Sequence, residues 1–240
     1  MDFLANYFGS LNPMSFLSAL PGNIAQGIIW GLMGLGVFLT FKLLNFADLC
    51  VDGSFATGGA VTAVMLINGC PVWATIIVAI LAGLAAGLVT GLLHTLLGIP
   101  DILAGILTQI ALYSINLNIM GKSNLPISYR NYTLVVSASN INMAILVGLG
   151  ICAVVIAAMY WYFGTEQGST IRSTGSNPAM SKAQGININF TKVIALALSN
   201  GLVALSGSLF AQYQGFADIN MGRGAIVIGL AAVIIGEVLG

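Results

Sequence analysis

Residues 72–97 read VWATIIVAILAGLAAGLVTGLLHTLL, an apolar run with no acidic residue, lysine or arginine. As a helix it crosses a hydrocarbon layer of about 30 Å, which takes about 20 residues because the backbone must satisfy its own hydrogen bonds there. Outward from it, further apolar runs fall at 24–44, 51–67, 102–120, 143–163, 193–213 and 225–240. The predicted fold is an all-α, polytopic transmembrane helical bundle with about seven membrane segments. Composition agrees: 58% of residues are apolar and 6% charged, too little polar surface for a soluble domain.

Most connections are short. Asn68-Gly69-Cys70-Pro71 and Gly98-Ile99-Pro100-Asp101 make consecutive helices antiparallel neighbours, so 23–240 reads as one domain. The long connections lie around 121–142 and 164–192. Residues 1–22 lack the basic start of a signal peptide and are interrupted by Asn12, Pro13, Pro21 and Gly22. They are expected to form an interfacial amphipathic segment kept in the mature protein. If 164–192 is cytoplasmic, Lys42, Arg172, Lys182 and Lys192 lie inside and Lys122, Arg130 and Arg223 outside, the sense the positive-inside rule favours.

Seven Lys plus Arg balance seven Asp plus Glu, leaving no basic surface for nucleic acid. Cys50, Cys70 and Cys152 lack CxxC spacing and sit in or beside apolar spans, where cysteine acts as a small hydrophobe. The single histidine, His94, cannot build a metal cluster with them, and no P-loop is present. No metal or cofactor is expected on the chain itself, and no catalytic residue.

In the third span Gly83, Gly87 and Gly91 leave one stripe nearly free of side chains, the pattern of close helix packing. Gly27, Gly31 and Gly34 form a similar face in the first span. Charges near spans are expensive and therefore candidates for function. In Asn45-Phe46-Ala47-Asp48-Leu49-Cys50-Val51-Asp52-Gly53-Ser54, two carboxylates stand four residues apart and would share a helix face. Either they line an aqueous vestibule or Asp52 caps the helix that follows. The fourth span begins at Asp101 and carries Gln109, Tyr113 and Asn116 on one polar stripe, read either as interhelical bonding or as a translocation pathway. The sixth span adds Asn200, Ser206, Ser208 and Gln212. Polar side chains of this kind suit a neutral or zwitterionic solute better than a highly charged ion.

The interruption at 164–192 contains Asn177-Pro178-Ala-Met-Ser-Lys182-Ala-Gln-Gly185. Asn177 is a good N-cap, Pro178 fits the first helical position, and Gly185 suits a left-handed stop. A helix of about two turns follows, with Ala179, Met180 and Ala183 as a small apolar face and Lys182 near its C-terminal end. Such a helix on a loop is either a knob for a partner protein or an ordinary interfacial helix.

At these residues, Ile171-Arg172…Gly175-Ser176-Asn177-Pro178…Ala183-Gln184-Gly185-Ile186-Asn187, the chain resembles ABC importer permeases of the branched-chain amino-acid and sugar type. Leu44-Asn45-Phe46-Ala47-Asp48 is similar to that family's early motif. The stretch Asp48 to Phe55, with Gly229-Leu230-Ala231…Ile235-Gly236-Glu237-Val238-Leu239, resembles the subgroup tied to tryptophan, tyrosine or related solutes. The resemblance implies a permease subunit in the cell membrane, in a homodimer or pseudo-dimer. Two ATPase subunits would hold ATP and Mg, and an extracellular solute-binding protein would deliver the solute. It implies ATPase coupling through Asn177, Pro178, Met180, Lys182, Ala183 and Gly185, flanked by Glu166 and Arg172. The pathway would draw on Asn45, Asp48, Asp52, Gln109, Tyr113 and Asn116. Family members continue past Gly236-Glu237 with more hydrophobic helices, so a chain ending at Gly240 is expected to be incomplete or short. The rival expectation is a stand-alone secondary transporter using Asp48, Asp52 or Asp101 for ion coupling.

Overall fold

The structure, a computed structural model, describes residues 13–127, 134–136 and 141–239. Residues 1–12 of the expected interfacial segment, together with Arg130 and Gly240, lie outside the described residues. Helix α1 (Pro13–Phe38) continues into a π-helical segment, Leu39–Leu43. It is followed by α2 (Val51–Ile67), α3 (Val72–Leu96), α4 (Asp101–Met120) and α5 (Ile141–Phe163). Two short helices, α6 (Glu166–Ser176) and α7 (Pro178–Ala183), precede α8 (Ile188–Gln214) and α9 (Ala225–Leu239). Strands β1 (Asn124–Pro126) and β2 (Phe216–Asp218) pair antiparallel.

Among the described residues, five helices have the length and hydropathy to cross a membrane, and α2 and α9 are shorter apolar helices. The expected break at Pro21-Gly22 is absent, because α1 runs through it. Pro21 loses one helical N–H bond but keeps a helical φ, and the Tyr213 hydroxyl donates to Gly22 O (2.9 Å), tying this turn to α8.

Helix α8 is the axis of the bundle and packs on α3, α2 and α1. In lipid no hydrophobic force draws apolar helices together, so close packing and polar contacts hold them. Both are present. Ser199 donates to Gly36 O (2.7 Å) and Ser206 to Ile29 O (2.6 Å), joining α8 to α1. Thr62 of α2 donates to Ser208 (2.7 Å). Gly83 and Gly87 of α3 lie on the α8 backbone, where an added Cβ would overlap the carbonyl oxygens of Asn200 and Leu196, and Gly91 lies on Val193. On α1 a Cβ added at Gly27, Gly31 or Gly34 would meet nothing within 4 Å among the described residues, and α1 approaches Ser199 and Val203 through Gly36. Trp30, Phe55 and Phe210 form an aromatic cluster joining α1, α2 and α8, with centroids 5.3 to 5.5 Å apart.

The outer faces of α3, α4 and α5 expose large apolar side chains, as lipid requires. Exposed Trp73 starts α3, and exposed Tyr160 and Trp161 end α5, placing aromatic side chains at both ends of the bundle.

Candidate functional site

Two helices begin inside the bundle rather than at its surface. Helix α2 runs parallel to α8, because Ser54 donates to Asn200 (2.6 Å) and Thr62 to Ser208, both pairs 146 residues apart. Asn200 lies about 18 Å along α8 from its start, at about 1.5 Å per residue, so α2 starts near mid-depth. The turns after β2 descend to the same level: Gly222 lies so close to Asp52 that an added Cβ would overlap the Asp52 carbonyl oxygen. Helix α9 starts there and runs the opposite way, past Met33 and Val37 of α1, to Glu237, which pairs with Lys42 of the π-helical segment. Thus α2 and α9 are partial spans that diverge from mid-depth.

Asp52 stands at this junction. Its Oδ2 accepts the Gly224 N–H (3.1 Å) and its Oδ1 the Ile226 N–H (2.9 Å). The carboxylate therefore caps α9, 172 and 174 residues away in sequence, and not its own helix, which starts after Cys50. A helix N-terminus favours a negative charge and leaves N–H groups in need of acceptors, so Asp52 serves both ends of the contact.

Asp48 does not share a helix face with Asp52, because residues 45–48 precede α2 as irregular backbone. It is 2% exposed. Its Oδ1 accepts the Cys50 N–H (2.8 Å) and its Oδ2 accepts from Asn200 Nδ2 (2.7 Å), while Asn200 Oδ1 accepts from Ser54. Asp48 thus belongs to a buried network between the α2 N-terminus and α8. Asn45 is exposed with φ 53°, a left-handed turn that asparagine tolerates.

A cavity of about 290 Å³ opens beside Asp52. Asp52, Gly53 and Ala56 of α2 form one wall, and Gln109, Ile110, Tyr113 and Asn116 of α4 another. Ile219, Asn220 and Arg223 from the descending turns form the third. Four expected pathway residues, Asp52, Gln109, Tyr113 and Asn116, therefore meet around one space, and Asn45 and Asp48 do not. Asn220 and Arg223 were not singled out for this site; the spacing of a connection carries no period that would aim them at it. Asn116 is 1% exposed, and neither its Nδ2 nor its Oδ1 has a hydrogen-bond partner among the described residues. An unpaired buried polar group costs about 1–3 kcal/mol, which marks the position. Arg223 is exposed, and among the described residues its guanidinium has no ion pair.

At the Lys42 end of the bundle, Asn177 Oδ1 accepts the Met180 N–H (3.0 Å), and Pro178 opens α7. Gly185 follows with φ 82°. Pro178, Met180, Lys182 and Ala183 are exposed, Met180 to 58%. Helix α6 had no counterpart in the sequence reading. It is seated on the bundle: Arg172 donates to Phe163 O (2.6 Å) at the end of α5, Gly168 lies on Phe163, and Gly175 lies against the Leu43 carbonyl. Glu166 is exposed in its first turn. His94 sits nearby in a structural role. The Lys192 ammonium donates to Nε2 (3.1 Å), so Nδ1 carries the proton and donates to Ile99 O (2.9 Å).

Residues 22–239 match the family described as the branched-chain amino acid transport system / permease component. The chain belongs to this family of ABC transporter permeases, and is a multi-pass membrane transport subunit rather than an enzyme. It is 44% identical over 224 residues to the tyrosine transport system permease protein of Clostridioides difficile (strain R20291), covering 93% of this chain and 74% of that one. It is 25% identical over 234 residues to the D-allose transport system permease protein AlsC of Escherichia coli (strain K12), covering 95% and 71%. No solved structure matches significantly. Family membership removes the ground for the stand-alone ion-coupled transporter.

Proposed function

We propose that this chain is the membrane subunit of an importer for an amino acid, tyrosine, tryptophan or a related solute, which an extracellular binding protein delivers. Two copies pair, and two ATPase subunits holding ATP and Mg drive the cycle from the cytoplasmic side. The observation that carries this reading is the exposed helix α7, fixed to the bundle through α6. A partner that moves α7 moves α6 with it, and α6 bears on both the end of α5 and the π-helical segment that continues α1. π-Helical turns are frequent at functional sites. From that segment the chain leads through residues 44–50 to Asp48 and Asp52, and so to the cavity.

The amino-acid assignment draws support from the tyrosine permease relative and from a cavity whose walls carry one carboxylate and one guanidinium. The test is co-purification: Met180→Glu with Ala183→Glu puts two charges on the exposed face of α7 and is expected to abolish recovery of the ATPase with the tagged permease. Full recovery from that variant, with normal membrane insertion, would sink the docking assignment.

A further inference from the structure

We infer that the cavity between α2, α4 and the descending turns binds the head group of a zwitterionic α-amino acid, its ammonium toward Asp52 and its carboxylate toward Arg223. This rests on the amino-acid reading above. Each Asp52 oxygen accepts one backbone N–H from α9, and a carboxylate offers about four lone-pair sites in all, so acceptor capacity remains for an ammonium. Arg223 directly precedes Gly224, whose N–H binds Asp52, so the two residues are neighbours in the cavity wall. A guanidinium presents two parallel N–H groups that match a carboxylate. The pair sums to zero formal charge, which balances a zwitterion and leaves one charge unanswered for a simple cation or anion.

Asn116 supplies the independent observation. It is buried, borders the cavity, and has both a donor and an acceptor unpaired among the described residues. Both atoms are covered in this conformation, and a turn of the side chain toward the cavity would offer them to a solute carrying its own donor and acceptor. Tyr113 and Ile110, about one and two turns closer to the start of α4, offer apolar surface to a solute side chain.

The experiment is saturation-transfer NMR on the full chain in nanodiscs. Its probes are L-tyrosine, tyramine, which lacks the carboxylate, and 3-(4-hydroxyphenyl)propionate, which lacks the ammonium. L-Tyrosine is expected to bind about tenfold tighter than either analogue. Arg223→Gln, an exposed change, should weaken L-tyrosine by about tenfold and tyramine by less than about twofold. Asn116→Ala should weaken all three. Equal affinity for the three probes overturns the inference, as does an Arg223→Gln effect that is nil or the same for tyrosine and tyramine. Uptake by the assembled transporter separates the two levels. If it imports labelled tyrosine or tryptophan while Arg223→Gln leaves binding unchanged, only the site assignment falls. If it imports neither, the amino-acid reading falls with it.

Discussion

At Asp48 a carboxylate buried to 2% exposure accepts one backbone N–H and one side-chain N–H, from Cys50 and Asn200. Such a bond is worth about 0.5–1.5 kcal/mol net, and a buried group left without its partner costs about 1–3 kcal/mol. Asn200→Ala removes one of these two bonds and also takes from Ser54 its amide acceptor, leaving it only the longer contact with Cys50 Sγ (3.4 Å). The variant is expected to lose about 2–4 kcal/mol, read as a lower thermal midpoint of the chain in nanodiscs; an unchanged midpoint would mean that the network holds nothing. In the sequence both acidic residues stand out, because charges beside spans are rare. Their partners do not, since Asn200 is 152 residues from Asp48 and Gly224 is 172 from Asp52. Spacing rules reach a turn or two along a helix, which is why Gln109, Tyr113 and Asn116 were legible as a stripe and the cap on α9 was not.

Helices α6 and α7 differ in how they are made. Helix α7 carries its instructions locally, in the Asn177 cap, Pro178 and Gly185. Helix α6 reads EQGSTIRSTGS, with two glycines and five Ser or Thr, a composition of low helix propensity. It forms because Arg172, Gly168 and Gly175 seat it on neighbouring backbone, while the Ser169, Thr170, Ser173 and Ser176 hydroxyls find acceptors in carbonyls three residues earlier. That tertiary support is invisible in a window of sequence. Arg172→Ala frees one end of the seat without touching α7. It is expected to reduce solute uptake severalfold while the ATPase still co-purifies; uptake at the wild-type rate would show that α6 transmits nothing. The partial spans α2 and α9 make the same point. Their apolar runs were plain from composition, but their common start at mid-depth depends on Asp52, Gly222 and Gly224 meeting in three dimensions.

Across the whole molecule, hydropathy alone carried the fold class, because lipid permits few alternatives to a helix bundle. It did not carry depth, and depth is what places a polar cavity beside the N-terminus of α9. The proposed function rests on two places in the molecule. One end presents α7 on a braced loop, and near mid-depth lies a cavity whose walls carry Asp52 and Arg223. The structural link between them runs through Leu43, the 44–50 connection and the α2 N-terminus. The most direct measurement is uptake of labelled L-tyrosine and L-tryptophan into proteoliposomes holding the transporter purified through this chain, with the solute-binding protein supplied and ATP present or absent. Uptake of one of them is predicted to require ATP and to fall to background when Met180 and Ala183 are both changed to glutamate. Uptake by the chain without ATP, driven by a proton or sodium gradient, would contradict the account.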